Sequence, residues 1–195
     1  MRFRGIVLAA LLSLVLFAIR SGATTVAERS MRDLVAEAPS IVYGTVVSTT
    51  SHWTENRSLI VTDVRVEVED VLKGEPASQV VVTQPGGSVG KLRVECDGAA
   101  AFLPGDRAIL FLDRNPGGLT HVVGLFQGRF DVVEDVRGRK VVRGVTTEEA
   151  RTLGQASARG SLDVPRSPSA AAVPLEQFLG AIRDLVRDVS NEGGR

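Results

Sequence analysis

The chain has 195 residues, of which 44% are hydrophobic, and its 23 Lys and Arg residues balance its 23 Asp and Glu residues. This length and apolar content suffice for one domain of ordinary size, with a core that needs no disulfide bonds. The cations are not clustered, and few aromatic residues lie among them. The composition therefore argues against a nucleic-acid partner.

The first 23 residues have the pattern of a secretory signal peptide. Arg2 and Arg4 precede an apolar run over residues 6–19, and Ser21-Gly22-Ala23 supplies the small residues of a cleavage site. We predict cleavage after Ala23 and a secreted or periplasmic mature protein. The alternative is an uncleaved anchor, although an arginine ends the apolar run short of the roughly 20 residues that span a bilayer. Without its first 23 residues the chain keeps 20 basic and 23 acidic residues, a net charge of about −3.

A short helix and a series of strands are predicted next. Ser30 and Asp33 form a capping-box pattern for a helix over residues 30–38, and Pro39 ends it. Beyond it, β-branched runs separated by Gly, Pro and Asn turns predict short strands. These runs cover residues 41–49, 59–72, 79–83, 92–95, 108–112, 119–123, 129–133 and 140–142.

The second of these runs indicates a curved sheet. Val64, Val66 and Val68 alternate with charged residues, so one face of the strand packs and the other meets water. The valine stripe changes parity between Val61 and Val64 and again between Val68 and Val71, and a strand absorbs such a change by a bulge or a bend. Bulges and bends curl a sheet, so we expect a barrel.

The C-terminal part of the chain separates into a linker and a helix. Gly, Ala, Ser, Arg and Pro dominate residues 153–173, which predicts a flexible linker. Apolar residues at helical spacing from Leu175 to Val189 predict a helix over 174–190. This helix either docks on the protein's own barrel or binds a partner or a membrane surface. The predicted fold is thus mainly β, a small OB-like closed β-barrel over 24–152 with a short N-terminal helix and a C-terminal amphipathic helix.

Three motifs occur in a characteristic order. They are Ile41-Val42-Tyr43-Gly44-Thr45-Val46-Val47, then Val64-Arg65-Val66-Glu67-Val68-Glu69-Asp70-Val71-Leu72-Lys73-Gly74, then Phe102-Leu103-Pro104-Gly105-Asp106-Arg107-Ala108-Ile109-Leu110-Phe111-Leu112. Together they resemble the netrin-like modules of the tissue inhibitors of metalloproteinases. They resemble more closely a group of secreted bacterial proteins of uncharacterised function, some linked with matrixin-type metalloproteases.

The resemblance covers about residues 30–142. It implies an OB-type barrel, and the partner that it implies is an exported metalloprotease. Those inhibitors have several disulfides and chelate zinc through a cysteine at the mature N-terminus. Here Cys96 is the single cysteine and the mature chain would begin near Thr24, so zinc chelation of that kind is not carried over.

The residues give little support to catalysis or metal binding. The histidines are His52 and His121, and no nucleophile-elbow motif surrounds a serine, so an exported hydrolase ranks third among the interpretations. Glu95-Cys96-Asp97 lacks a nearby histidine, and the Gly-rich stretch 85–90 is a hairpin loop rather than a P-loop. We therefore expect no enzymatic activity, no metal and no cofactor. Cys96 is expected to be a buried, inert thiol, with an intermolecular disulfide as the alternative.

The polar loop over residues 48–56 is the predicted contact site. It holds the chain's one tryptophan, Trp53, beside His52, with Glu55 and Arg57 close by. OB-type barrels commonly bind ligands at their first inter-strand loop, and a large aromatic side chain can anchor a partner. Alternatively, Trp53 folds back to cover the end of the barrel. The sequence thus predicts a secreted, non-enzymatic protein-binding module, and the alternative is a structural or envelope-associated protein attached through its C-terminal helix.

Overall fold

The computed structural model describes residues 29–75, 78–96, 98–145 and 171–193. The predicted signal peptide and residues 153–170 of the predicted linker lie outside these ranges. Within the described ranges the helices are α1 (Met31–Glu37) and α2 (Leu175–Gly193). The strands are β1 (Ser40–Trp53), β2 (Ile60–Lys73), β3 (Gln79–Pro85), β4 (Gly87–Val89), β5 (Leu92–Val94), β6 (Arg107–Arg114), β7 (Thr120–Val122), β8 (Arg129–Glu134), β9 (Lys140–Val145) and β10 (Ala171–Pro174).

Eight of the described strands form one antiparallel sheet, in which seven follow the order β10-β9-β8-β6-β1-β2-β3 and the eighth, β7, lies off this order. Strand β7 pairs with the end of β6, beyond the part of β6 that pairs with β8, and β4 and β5 form a separate hairpin. The mainly β class predicted from the sequence is confirmed. The closed barrel is wrong, because no ladder joins β3 to β7 within the described residues. The two edges nevertheless approach each other to within 8 Å between Cα atoms.

Bulges shape the long β1–β2 ladder. Two register shifts place an extra residue on β2, at Glu69 and at Leu72, and a third places Val47 as an extra residue on β1. The first two fall where the valine stripe changes parity in its C-terminal half, as predicted from the pattern. The earlier parity change has a different cause, since the ladder is regular there. Val61 simply lies on the face opposite the buried Val64, where it is half-buried.

The sheet buries apolar residues on both of its faces. On one face α1 and α2 pack against it, and Phe130 lies between Phe178 of α2 and Phe111 of β6, with ring centroids 5.2 and 5.6 Å apart. The second core lies on the other face. Its residues include Val42, Val46, Val64, Val66, Val82, Ala108, Leu110, Leu112 and Val122. The C-terminal helix therefore docks on the protein's own sheet, the first of its two predicted alternatives.

At the ends of the described elements, one prediction is wrong and one is confirmed. The predicted linker is wrong at its C-terminal end, because β10 begins at Ala171 and Val173 pairs with Val142 of β9. At the N-terminal end of the fold, the capping box is confirmed. The Ser30 N–H donates to Asp33 Oδ2 at 3.1 Å, and the Asp33 N–H donates to Ser30 Oγ at 3.2 Å. Neither helix in the described ranges is long and apolar enough to cross a membrane.

Candidate functional site

A groove of about 1130 Å³ lies where the open edge of the sheet meets the ends of two hairpins. Its walls are the tip of the β1–β2 hairpin, the outer face of β2 and β3, and the turn between β6 and β7. The corner between α1 and β1, at Pro39 and Ser40, and the end of β2, at Gly74 and Glu75, complete it. A groove of this size is slightly larger than the roughly 300–1,000 Å³ of most ligand-binding clefts.

The tip of the β1–β2 hairpin is held rigid by its own polar side chains. Asn56 Oδ1 accepts hydrogen bonds from Thr54 Oγ1 at 2.8 Å, from the Ser58 N–H at 3.1 Å and from Ser58 Oγ at 2.7 Å. The Thr54 N–H donates to the Leu59 carbonyl at 2.9 Å. Arg57 takes the left-handed conformation that the turn requires, with φ of 53°. The groove wall is thus formed before any partner binds.

The predicted loop over residues 48–56 is wrong in its first part, because β1 continues to Trp53. Ser51 pairs with Thr62 across the ladder, and their hydroxyl oxygens are 2.9 Å apart. Thr62 Oγ1 also donates to the Gly86 carbonyl at 2.7 Å. The polar residues that suggested a loop form these cross-strand hydrogen bonds instead. Gly87 lets β4 lie directly on this hydroxyl pair, because a Cβ there would be 2.3 Å from Thr62 Oγ1.

A polar network joins three strands on the groove side of the sheet. His52 Nε2 lies 3.0 Å from Asp63 Oδ2, and Thr83 Oγ1 donates to Asp63 Oδ1 at 2.8 Å. His52 Nδ1 lies 3.0 Å from the Trp53 carbonyl oxygen. Both ring nitrogens therefore face acceptors, and the doubly protonated ring can donate to both. The bond to the Trp53 carbonyl, followed by the bond to Asp63, raises the pKa of His52 above its usual value.

This network does not have the geometry of a hydrolytic triad. In a triad the histidine stands between the nucleophile and the carboxylate. Here Asp63 stands between His52 and Thr83, and the Thr83 hydroxyl donates to the carboxylate rather than to an imidazole nitrogen. The arrangement ties β1, β2 and β3 together at the groove wall.

The four residues predicted to bind a partner do not form one surface. His52 and Glu55 line the groove, whereas Trp53 and Arg57 lie outside its lining. Consecutive strand residues point to opposite faces, so Trp53 shares the face of the buried Ile60 with which it pairs. Trp53 is 38% exposed and is covered in part. The structure therefore divides these residues between the groove lining and the surface outside it, and their contact with a partner stays a prediction.

The place of the β6–β7 turn at the groove was not predicted from the sequence. This turn brings Asp113, Arg114 and Leu119 to the groove, and Leu119 is 49% exposed. Its Asn-Pro-Gly-Gly sequence was recognisable as a turn. Its position beside a hairpin tip some sixty residues earlier follows from the curl of the sheet, and local sequence spacing does not encode that curl.

The groove carries an excess of carboxylates. Glu55, Glu75 and Asp113 form no ion pair with another described residue, whereas Asp63 is paired with His52. Arg114 is the one arginine or lysine of the lining, and it too has no ion-pair partner in the described ranges. The electrostatic potential of the groove therefore favours a cationic partner.

Cys96 lies outside this groove and is exposed. The expectation of a buried thiol is wrong, because Cys96 follows the end of β5 on the surface rather than entering a core. Within the described ranges, no group of three or more His, Cys, Asp or Glu side chains is arranged to hold a metal ion.

No protein-family model matches the chain, and no curated protein matches it at a significant level.

Proposed function

We propose that the protein is a secreted, non-enzymatic binding module with an OB-like barrel, and that it contacts another exported protein through the groove. The groove itself is the observation that carries this proposal. It combines a volume of about 1130 Å³ with exposed apolar side chains and unpaired charges on a rigid rim. Such a mixture is typical of surfaces that recognise a partner.

The strand order supports the OB-like part of the proposal. Strands β1, β2 and β3 form a meander, β1 also pairs with β6, and β6 continues into β7, which lies against β3. An OB-like barrel with an open seam between β3 and β7 would account for this arrangement. OB folds bind ligands on the face of their second and third strands, between two flanking loops. By analogy of fold, the groove on β2 and β3 would correspond to that ligand-binding face.

The charges of the groove favour a protein over a nucleic acid. The carboxylates of Glu55, Glu75 and Asp113 would repel a phosphate backbone, which needs clustered cations. Asp63 lies between His52 and the Thr83 hydroxyl, whereas a hydrolytic triad needs the histidine in the middle, and this order argues against hydrolysis. The resemblance to netrin-like modules adds an exported metalloprotease as the partner class to test first.

The alternative function, that of a structural or envelope-associated protein, is less favoured because its attachment surface is buried in the core. That alternative uses the apolar face of the C-terminal helix. In the structure Phe178, Ile182 and Leu185 on this face are buried against the sheet. The face would have to leave the core before it could bind anything else.

Affinity capture from the native host's envelope and culture fluid tests the proposal. The tagged protein is compared with a Leu119→Lys variant, which places a positive charge in the groove, and with Leu103→Lys, a matched control. Leu103 is 69% exposed and lies outside the groove lining. We expect an exported protein to be retained by the native form and by Leu103→Lys, and to be lost with Leu119→Lys. Retention by all three forms would overturn the proposal.

A further inference from the structure

We propose that the partner presents an extended segment with lysine or arginine side chains, which pairs with the free edge of β3 in the groove. This inference rests on the proposed function and specifies the chemistry that the groove recognises. Three independent features of the groove support it: unpaired backbone groups at the edge of β3, carboxylates without an ion-pair partner among the described residues, and exposed apolar side chains.

The hydrogen bonds at the two ends of β3 show which of its backbone groups are free. The Val68 N–H donates to the Ser78 carbonyl at 2.8 Å, and the Gly86 N–H donates to the Ile60 carbonyl at 2.9 Å. In an antiparallel ladder every second residue bonds to the neighbouring strand, so the even-numbered residues of β3 bond to β2. The odd-numbered residues turn their backbone groups away from β2. They are Gln79, Val81, Thr83 and Pro85, and the first three line the groove.

The same reasoning applies to β7. The Val123 N–H donates to the Phe111 carbonyl at 2.9 Å, and the Asn115 N–H donates to the Leu119 carbonyl at 3.0 Å. The odd-numbered residues of β7 therefore bond to β6, and Thr120 turns its backbone groups outward. Thr120 also lines the groove. The two edges lie within 8 Å of each other, closer than the roughly 10 Å that a strand paired with both would need, so a segment can pair with one edge only. Strand β3 has seven residues and β7 has three, and β3 brings more outward-turned residues to the groove. An extended backbone is the ligand that complements such an edge.

The side chains along the seam select the partner's residues. Leu59, Val81 and Leu119 are 61%, 42% and 49% exposed. The same groove is lined by the carboxylates of Glu55 on the hairpin tip, Asp113 beside the β6–β7 turn and Glu75 at the end of β2. An extended segment points every second side chain to the groove side, where basic and apolar residues would meet both sets. Charge complementarity of this kind favours a basic partner over an acidic one.

Fluorescence anisotropy with short labelled peptides tests the inference on the secreted protein. The first peptide alternates lysine with valine and threonine, the second replaces each lysine by glutamate, and the third is the lysine peptide with alternate backbone amides N-methylated. We expect the lysine peptide to bind and the glutamate peptide not to bind. N-methylation removes backbone donors, so we expect it to weaken binding roughly tenfold or more.

A matched pair of double variants tests the role of the carboxylates. Glu55→Gln with Asp113→Asn removes two groove charges, and Glu95→Gln with Glu134→Gln removes two exposed charges outside the lining. We expect the groove pair to weaken binding of the lysine peptide roughly three- to tenfold, and the control pair to change it less than about twofold. The far-UV circular dichroism spectrum of each variant checks its fold.

The outcomes separate this inference from the function on which it rests. Equal binding of the lysine and glutamate peptides, full binding of the N-methylated peptide, or no binding of any peptide overturns the partner chemistry alone. Retention of the native partner by Leu119→Lys overturns the proposed function, whatever the peptides do.

Discussion

His52 contacts two acceptors at once, the Trp53 carbonyl and the Asp63 carboxylate. These bonds raise its pKa above the usual 6.5. A raised pKa stabilises the folded state fully below the unfolded-state value, and this stabilisation is lost as pH rises through the folded-state value. We therefore expect thermal stability to fall as pH rises from about 6 to above neutrality.

An NMR titration of the His52 ring measures this directly. The Asp63→Asn variant should move its midpoint down, since the carboxylate that favours the charged ring is gone. His52→Gln should remove its share of the pH dependence from thermal unfolding. A midpoint at or below the usual value in the native protein would show that these bonds do not form in solution.

The exposure of Cys96 makes its thiol available to solvent in the folded protein. We expect a thiol-specific reagent to modify it under native conditions as fast as it does in denaturant. Cys96→Ser should change the free energy of unfolding by less than about 0.5 kcal/mol, the usual range for a surface substitution. Protection of the thiol until the protein unfolds would restore the buried thiol expected from the sequence.

The β1–β2 ladder depends on a glycine at position 44. A Cβ there would lie 2.3 Å from the Glu67 carbonyl oxygen and 2.9 Å from Val66 Cγ1. Because the closest atom belongs to the backbone of a paired strand, it cannot move cheaply. Gly44→Ala should cost about 1–3 kcal/mol of unfolding free energy. Gly180→Ala is the control, since a Cβ at Gly180 meets nothing within 4 Å and alanine should stabilise α2 by about 0.5–1 kcal/mol.

Helix α2 contributes to the core through Phe178, which is fully buried against Phe130. Phe178→Ala should lower the free energy of unfolding in urea by about 3–5 kcal/mol. Asp188→Ala, on the exposed side of the same helix, should change it by less than about 0.5 kcal/mol. If both variants were equally stable, α2 would be an appendage free to bind a partner rather than part of the core.

At the scale of the elements, local sequence patterns predicted most of the helices and strands that the structure describes. The capping box at Ser30, the valine alternation in β2 and the turn residues located α1 and the central strands. The end of β1 was missed because Ser51 and His52 look like loop residues. Their polar groups are satisfied by Thr62 and Asp63, which the register alone brings opposite them. A strand that is polar on both faces gives no periodic signal.

The groove belongs to the whole molecule, and the sequence could predict little of it. Its three walls come from the β1–β2 tip, the β2–β3 face and the β6–β7 turn, which only the curl of the sheet brings together. His52 and Glu55 were predicted because their loop was polar and near a tryptophan. Leu119 and the free edge of β3 could not be predicted in this way. Whether a turn or an edge strand lines a groove depends on its neighbours in the folded protein, and local sequence does not reveal them.

The most direct test of the groove as the contact surface is site-specific photocross-linking in the native host. A photoreactive phenylalanine analogue replaces Leu119 in one protein and Leu103 in another, and the adducts are identified by mass spectrometry. We predict a cross-link to one exported protein from position 119 and none to it from position 103. A cross-link to that protein from position 103 alone would contradict the account, because the partner would then bind outside the groove.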